Sequence, residues 1–495
     1  MPEPRESSDL NPILINTEMR LLKRTDLEDP EENPKRTFRS FFTPPRKVSL
    51  SFLAVILAGT VLLVLPISSR GDGIGGLNAL FLATSATCVT GLSPIVMADE
   101  LTLFGEIVML LLIQIGGIGF ITLMAVTLLK IRSRLSLKDK IAMREMLNWN
   151  NLADLKTVLR RILKYVFSFE LAGAVLMLPV FAREEGFVRG CFDALFISVS
   201  AFCNAGFDPL GPSSLMPYHS SVVINLVVMA LIFFGGIGFA VWMDITHLFR
   251  HLLKRFRNKE ISHRFSHLLN THTKLVLSTN ALLLLLSFFS ILAFEYTNDG
   301  TIGAMNGGDE ALASAFQSVT LRTAGYATVD MAAIRQPTAF LMILMMFIGG
   351  SPGGTAGGIK TTTFATLMLT AVSGIRGRQN VSVFKRVIPG DVIRRSLTIF
   401  CANAGVLMIG IGLLCITENA PFLNLAFEAA SALATVGLTM GVTPALTAAG
   451  KVLIIFLMYI GRVGMVTLLI SATSHKTGSS LAAHVNYPKG NIIVG

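Results

Sequence analysis

Long apolar runs alternate with polar segments along almost the whole chain. Eight such runs fall near residues 48–67, 101–129, 157–182, 219–249, 272–296, 336–372, 393–417 and 447–473. An α-helix needs about 20 apolar residues to cross roughly 30 Å of hydrocarbon, and runs of that length recur throughout. The pattern therefore predicts an all-α polytopic membrane protein with eight spans.

A second, shorter apolar stretch lies between the two runs of each successive pair. These stretches are Leu77–Cys88, Gly190–Cys203, Glu310–Leu321 and Phe422–Ala434. A stretch of about a dozen residues is too short to cross a bilayer, so each one is predicted to be a re-entrant segment.

A glycine-centred motif follows each of these short stretches. The motifs are Val89-Thr90-Gly91, Asn204-Ala205-Gly206, Thr323-Ala324-Gly325 and Thr435-Val436-Gly437. Their glycines are 115, 119 and 112 residues apart, and another glycine or glycine cluster follows each of them after 24 to 29 residues. Two features that recur in one register indicate a fourfold internal repeat.

The repeat predicts the domain organisation. A helix, a re-entrant pore helix, a glycine-centred strand and a second helix recur with pseudo-fourfold symmetry around one central pore. The four repeats are placed at 48–130, 157–250, 272–373 and 393–473. Residues 1–47 form a polar N-terminal extension and residues 474–495 a C-terminal tail.

Composition and charge agree with this class and exclude others. Charged residues make up 15% of the chain, against about 25% in a soluble domain, which argues against a soluble enzyme. The net charge of +11 arises mainly in alternate segments, which hold 34 of the 42 Lys and Arg residues. Such asymmetry follows the positive-inside rule, so it predicts cytoplasmic termini and requires no nucleic-acid partner.

Four glycine-centred strands around one axis favour a cation pathway. Irregular backbone is tolerated at membrane depth where it lines a water-filled path, and its carbonyls can replace the hydration shell of an ion. Glycine permits the dihedral angles that such a ring needs. The twelve motif residues are therefore the candidate ion ligands of a selectivity filter, similar in plan to that of potassium channels. Glycines that only help helices to pack are the alternative.

The sixth apolar run contains a candidate gate. Two helical pieces, near 337–348 and 361–372, flank a glycine-rich loop at 349–360, because glycine and proline disfavour a continuous helix. An ionisable side chain at membrane depth suggests function. The candidate gate residues are Gly349, Gly350, Gly353, Gly354, Gly357, Gly358, Lys360 and, in the fourth repeat, Arg462. Removal of the loop is expected to leave ion binding above it undisturbed. Simple helix-end positions are the alternative for the two cations.

These motifs resemble those of the Ktr/Trk/HKT superfamily of potassium transporters. The same resemblance holds for the run Gly349-Gly350-Ser351-Pro352-Gly353-Gly354-Thr355-Ala356-Gly357-Gly358-Ile359-Lys360. The similarity is greatest to the membrane (B) subunit of Ktr systems. It implies gated potassium uptake in the bacterial plasma membrane, with the loop and the arginine as the gate. It also implies a homodimer on a cytosolic ring of nucleotide-binding regulatory subunits. Glycine at all four filter positions matches the potassium-selective members.

Two other functions were weighed. A symporter that couples potassium to sodium or protons is the alternative, although Glu106, Glu170 and Asp244 form no obvious relay along the sequence. An enzyme or a nucleotide-driven pump is not expected, because the chain lacks a credible phosphate site. The five cysteines show no metal-ligand spacing. Potassium is the ion expected to bind, at the filter residues only, and sodium is a candidate activator. No cofactor is expected in the chain.

Overall fold

The computed structural model describes residues 44–71, 73–130, 155–258 and 269–464. The N-terminal extension before residue 44, the C-terminal tail and the end of the last apolar run lie outside the described residues, as do parts of two basic segments. Within the described part, fifteen α-helices and one short hairpin account for the regular structure. The helices confirm the mainly helical class that the apolar runs predict.

The first two repeats are built from eight helices. They are α1 (Pro44–Val64), α2 (Gly76–Cys88), α3 (Met97–Glu100), α4 (Leu103–Lys130), α5 (Leu155–Glu184), α6 (Phe187–Cys203), α7 (Val222–Gly236) and α8 (Phe239–Asn258). Helices α2 and α6 correspond to the first two predicted pore helices. Helices α1 and α5 precede them, and α4 and the α7–α8 pair follow them as inner helices.

The last two repeats follow the same order. Their helices are α9 (Thr271–Glu295), α10 (Gly307–Thr320), α11 (Gln336–Phe347), α12 (Thr361–Ile375), α13 (Gly390–Thr417), α14 (Phe422–Ala434) and α15 (Ala448–Val463). Here α10 and α14 are the pore helices. A two-stranded antiparallel hairpin, β1 (Ser382–Val383) with β2 (Arg386–Val387), joins α12 to α13. The hairpin lies between the sixth and seventh apolar runs, in a segment that holds six Lys and Arg residues over 374–395.

The pore helices pack in a cyclic order. Each packs against the inner helix of the preceding repeat: α6 against α4, α10 against α7, α14 against α11, and α2 against α15. The last pair closes the circle between the fourth repeat and the first. Because the pore helices are central, their C-terminal halves are almost wholly buried, as in the run from Phe81 to Cys88.

Helix length and apolarity single out fewer continuous spans than eight. Among the described residues, three segments meet both criteria: Arg160–Glu184, Thr271–Glu295 and Gly390–Thr417. The pair α7 and α8, bent by 105°, gives a fourth. The other apolar helices contain 10–17 residues within the part of the chain whose side chains the structure describes, so the eight-span layout stays a prediction.

The run 219–249, expected to be continuous, is broken at Ile237 and Gly238, where the φ angle of Gly238 is +93°. Backbone groups that the break leaves without helical partners bond to the loop 349–360. The amide of Phe239 donates to the carbonyl of Gly353 at 3.1 Å, and the amide of Ser351 donates to the carbonyl of Gly236 at 3.0 Å. The run 336–372 is divided as expected, into α11 and α12.

Candidate ion pathway

All four glycine motifs begin in the same unusual backbone conformation. Val89, Asn204, Thr323 and Thr435 have left-handed φ angles of 58°, 61°, 67° and 52°. A side chain other than glycine in this region costs on the order of 1–3 kcal/mol and persists only where the surroundings impose it. The recurrence of this strain at one position in four repeats marks the four motifs as one structural unit.

The glycines of the four motifs form a closed ring with their neighbours' carbonyl groups. A Cβ added to each glycine would lie within 2.6 Å of the carbonyl oxygen that precedes the glycine of the next repeat. In order, these pairs are Gly91 with Ala205, Gly206 with Ala324, Gly325 with Val436, and Gly437 with Thr90. No side chain fits in that space, so glycine is a steric requirement at all four positions.

Hydroxyl groups on the pore helices hold three of these strands. Ser85 Oγ accepts the amide N–H of Gly91, and Ser431 Oγ accepts that of Gly437, both at 3.1 Å. Ser200 Oγ accepts the amide of Phe207 at 3.1 Å. A serine lies six residues before the motif glycine in each of these three repeats, a regular spacing that is visible in the sequence.

The third repeat is held differently. Its hydroxyl, Thr320 Oγ1, donates to the carbonyl of Tyr326 at 2.7 Å, and the Tyr326 hydroxyl donates to the carbonyl of Phe207 at 2.9 Å. The latter bond links the third strand to the second. Arg322, which is 4% exposed, donates from Nη2 to the carbonyl of Met345 at 3.1 Å. Sequence reasoning missed both Arg322 and Tyr326.

The loop 349–360 contacts three of the four motifs and forms hydrogen bonds with two of them. The Gly357 amide donates to Thr323 Oγ1 at 3.0 Å, and the Thr355 hydroxyl lies 3.1 Å from both the Phe202 carbonyl and Asn204 Oδ1. A Cβ added to Gly357 would lie 2.0 Å from Thr435 Oγ1. The loop is therefore in direct contact with the motifs, and the expectation that its removal leaves ion binding undisturbed stays a prediction.

The two candidate gate cations bond to backbone carbonyls of the loop. Arg462 Nη1 donates to the carbonyl of Thr355 at 2.6 Å, and Nη2 donates to the carbonyl of Gly116. Lys360 Nζ donates to the carbonyl of Ala356 at 2.7 Å. Neither cation has an ion-pair partner among the described residues. Arg462 thus joins the loop to inner helices of the first and fourth repeats, whereas Lys360 bonds within the loop segment.

Comparison with known proteins decides the family. The model of the TrkH family, described as cation transport protein, matches residues 30–481. The chain belongs to this family. It is 37% identical over 454 residues to the Ktr system potassium uptake protein B of Bacillus subtilis, covering 92% of this chain and 97% of that protein. It is also 37% identical over 467 residues to the potassium/sodium uptake protein NtpJ of Enterococcus hirae, covering 93% and 99%.

A solved structure supports the fold of this TrkH-family chain. The crystal structure of the potassium transporter TrkH from Vibrio parahaemolyticus superposes with a TM-score of 0.67, covering 86% of this chain and 84% of that one at 21% identity. The family assignment and the shared fold confirm the resemblance that the four motifs and the glycine-rich loop indicate.

A vestibule of about 400 Å³ opens on the side of the ring away from the loop. The residues that line it include the four motif glycines, Asp208 and Asp330. Burial raises the pKa of Asp208 to about 6, while the hydrogen bond that the Leu210 amide donates to Oδ1 at 3.2 Å acts in the opposite direction. Carboxylates in such a cleft raise the local concentration of cations.

The three acidic residues considered for a relay have separate local partners. Arg189 Nη1 lies 2.6 Å from Glu106, Gln114 Nε2 donates to Glu170 at 3.0 Å, and Asn270 Nδ2 donates to Asp244 at 2.8 Å. None of these contacts joins one of the three acids to another. Among the described residues, no direct hydrogen bonds therefore connect these three carboxylates into a relay.

Proposed function

We propose that this chain mediates potassium uptake across the bacterial plasma membrane through the ring formed by its four glycine motifs. The observation that carries the proposal is the closed order of the ring, in which each glycine faces a carbonyl of the next repeat. Relatives covering more than nine tenths of the chain are named as potassium uptake proteins. The twelve motif residues are the proposed filter.

Selection follows from the chemistry of such a ring. Carbonyl oxygens at fixed positions replace the water around a cation, and an ion of the wrong size or field strength is replaced less well. The pore helices end at the motifs, and the partial negative charge of a helix C-terminus favours a cation there. The membrane potential supplies about 2.3 kcal/mol per charge for each 100 mV, so inward movement needs no coupled reaction.

The proposed gate is the loop 349–360, with Arg462 as the residue that retains it. The loop bonds to residues of the second and third motifs on one side of the ring. An ion leaving the filter on that side therefore meets the loop, and it also meets a guanidinium that stays protonated at any physiological pH. Withdrawal of the loop opens the path in this proposal.

Partners and orientation form the remaining part of the proposal. The chain works as a homodimer in the lipid bilayer, with cytoplasmic termini and a cytosolic ring of nucleotide-binding regulatory subunits. The regulatory subunits are proposed because the chain is similar to proteins named as parts of a Ktr system. The orientation is proposed from the distribution of Lys and Arg.

Coupling to sodium is the second candidate function. The name of the Enterococcus hirae relative, a potassium/sodium uptake protein, is the observation that favours it. A symporter needs sites that bind the coupling ion within the same transport cycle, and protonatable relays are one common form. The separate local partners of Glu106, Glu170 and Asp244 support the gated pathway over proton coupling.

Flux measurements on the purified chain in liposomes distinguish these functions. Potassium and sodium fluxes are followed under an imposed membrane potential, with the second ion absent, equal on both sides, or present as a gradient. The proposal predicts potassium flux that follows the potential without any sodium or proton gradient. Potassium flux that requires such a gradient, and reverses with it, would establish the symporter.

A further inference from the structure

The side chain of Asn204 bonds at one end to the loop and at the other end to the next filter strand. Its Oδ1 accepts the Thr355 hydroxyl at 3.1 Å, and its Nδ2 donates to the carbonyl of Arg322 at 3.0 Å. Arg322 immediately precedes the third motif. Asn204 was selected from the sequence for its backbone carbonyl, but the structure places its side-chain amide between the loop and the filter.

We propose that Asn204 transmits the position of the loop to the filter, so that the filter binds potassium more tightly with the loop seated than with it withdrawn. This inference rests on the proposed function, since it assumes that the four motifs bind potassium. It assigns Asn204 as a positioning residue for the third strand, a role distinct from that of an ion ligand.

The corresponding positions in the other repeats make the link specific to the second and third strands. In the first repeat the residue is Val89, which has no polar side-chain atom. In the fourth repeat it is Thr435, whose Oγ1 has no hydrogen-bond partner among the described residues. In the third repeat, Thr323 accepts the amide of Gly357. At these four positions, the loop therefore forms hydrogen bonds only with the second and third motifs.

Burial gives the link its energetic consequence. Asn204 and Thr323 are fully buried and Thr355 is 1% exposed, so water does not replace a lost partner. A buried polar group without a partner is unfavourable, and the surrounding structure rearranges to avoid it. When Thr355 leaves, Asn204 Oδ1 loses its donor. A turn of the amide towards another donor would then take Nδ2 away from the Arg322 carbonyl.

The same segment is fixed to the start of the loop from the other direction. Arg322 Nη2 donates to the carbonyl of Met345, in the last turn of α11, four residues before the loop begins at 349. Movement of the loop therefore acts on the third strand through Asn204 and through Arg322. Binding and loop position are reciprocal, so potassium in the filter favours the seated loop, and withdrawal of the loop weakens the hold on the ion.

This coupling would serve transport. Conduction needs a site that attracts the ion but also releases it. A filter that weakens when the loop withdraws releases its ion towards the side that has just opened.

Potassium binding to the full-length purified chain tests the link separately from flux. The midpoint potassium concentration for thermal stabilisation is measured for the wild type, Thr355→Val, Asn204→Leu and the double variant. Thr355→Val removes the hydroxyl with little change of volume and should raise the midpoint by about two- to tenfold, the range expected for one hydrogen bond. Because both residues act through one link, the double variant should show no more than the larger single effect.

Two matched variants serve as controls. Thr60→Val and Thr370→Val make the same chemical change outside the loop and the motifs, where each hydroxyl donates to a carbonyl of its own helix, that of Ile56 at 2.8 Å and that of Thr366 at 2.7 Å. Both should keep the wild-type potassium midpoint. A wild-type midpoint in folded Thr355→Val, or single effects that multiply in the double variant, would overturn the inference.

The wild type separates this inference from the proposed function. If the wild-type chain shows no stabilisation by potassium over sodium, the filter itself is refuted and the inference falls with it. If the wild type binds potassium selectively and Thr355→Val binds it equally well, only the link is refuted. Should Asn204→Leu fail to fold, Thr355→Val with its two controls still decides the question.

Discussion

Arg462 donates a hydrogen bond from Nη1 to the carbonyl oxygen of Thr355 at 2.6 Å, across 107 residues of sequence. The bond joins α15 in the fourth repeat to the middle of the loop in the third. The hydroxyl of the same Thr355 bonds to Asn204 in the second. One residue of the loop is thus held by the proposed gate arginine and by the proposed filter.

Replacement of Arg462 should increase transport. At an effective dielectric constant of about 20, a cation about 5 Å from a guanidinium is repelled by roughly 3 kcal/mol. Arg462→Ala removes this barrier and the bond to Thr355, so the potassium uptake rate should rise at least severalfold in a well-expressed protein. Arg462→Lys keeps the charge but loses the forked donors, and its rate should fall between the two. Rates are measured as isotopic uptake per amount of protein in the membrane.

A structural role for Arg462 makes a different prediction. If Arg462 only anchors α15, Arg462→Ala would lower the amount of folded protein or leave the rate per molecule unchanged. Lys360→Met provides a comparison, because Lys360 bonds to Ala356 within its own segment and not to another repeat. Its effect on rate should be smaller than that of Arg462→Ala.

Shortening the loop should also raise flux. Deletion within 353–358 removes Thr355 and Gly357, which bond to the second and third motifs. Ions then pass without waiting for the loop to withdraw, so uptake should increase and depend less on a cytosolic regulator. The assay compares uptake with and without the regulatory subunit, in protein shown to be folded by size-exclusion chromatography. Uptake at or below the wild-type level would count against a gate.

Asp208 should give uptake a dependence on external pH. Burial raises the pKa of this carboxyl to about 6, so it is charged at neutral pH and neutral well below pH 6. Loss of the charge removes its attraction for cations in the vestibule, and uptake at limiting potassium should decline as the external pH falls through about 6. In Asp208→Asn this part of the decline should be absent. Asp330→Asn, a change to an exposed carboxylate lining the same vestibule, should retain it.

Much of the helical architecture could be predicted from the sequence, because the same local pattern of apolar stretches and glycines recurs four times. The re-entrant helices, the motifs at their ends and the interrupted sixth run all depend on apolar length and on glycine. The break between α7 and α8 could not be predicted in this way. Gly-Gly-Ile-Gly occurs at 116–119, where α4 continues, and again at 235–238, where the helix breaks. The break is accompanied by hydrogen bonds from the loop, more than 100 residues away.

The roles of side chains at the site could not be predicted either, because they too depend on contacts that are distant in sequence. Asn204, Arg322 and Tyr326 make bonds that span tens of residues or more, which no local spacing indicates. The hairpin after α12 was also missed, since Phe384 and Lys385 occupy the left-handed positions of its turn, where Asn and Gly are the usual signal. A local sequence pattern predicts the backbone structure that depends on that pattern, whereas side-chain bonds between distant residues depend on tertiary contacts.

The central claim is that the ring of four glycine motifs selects potassium, and Gly437→Ser tests it most directly. A Cβ at Gly437 would lie 2.2 Å from the carbonyl oxygen of Thr90, whereas Gly441, also at positive φ, has open space around it. Gly441→Ser therefore controls for backbone strain alone. The measurement is the ratio of potassium to sodium uptake in cells that lack other potassium transporters.

The account predicts that Gly437→Ser lowers this ratio by about tenfold or more, equivalent to about 1.4 kcal/mol of lost discrimination, while Gly441→Ser stays near the wild type. An unchanged ratio in a normally expressed Gly437→Ser protein would contradict the assignment of the ring as the selectivity filter.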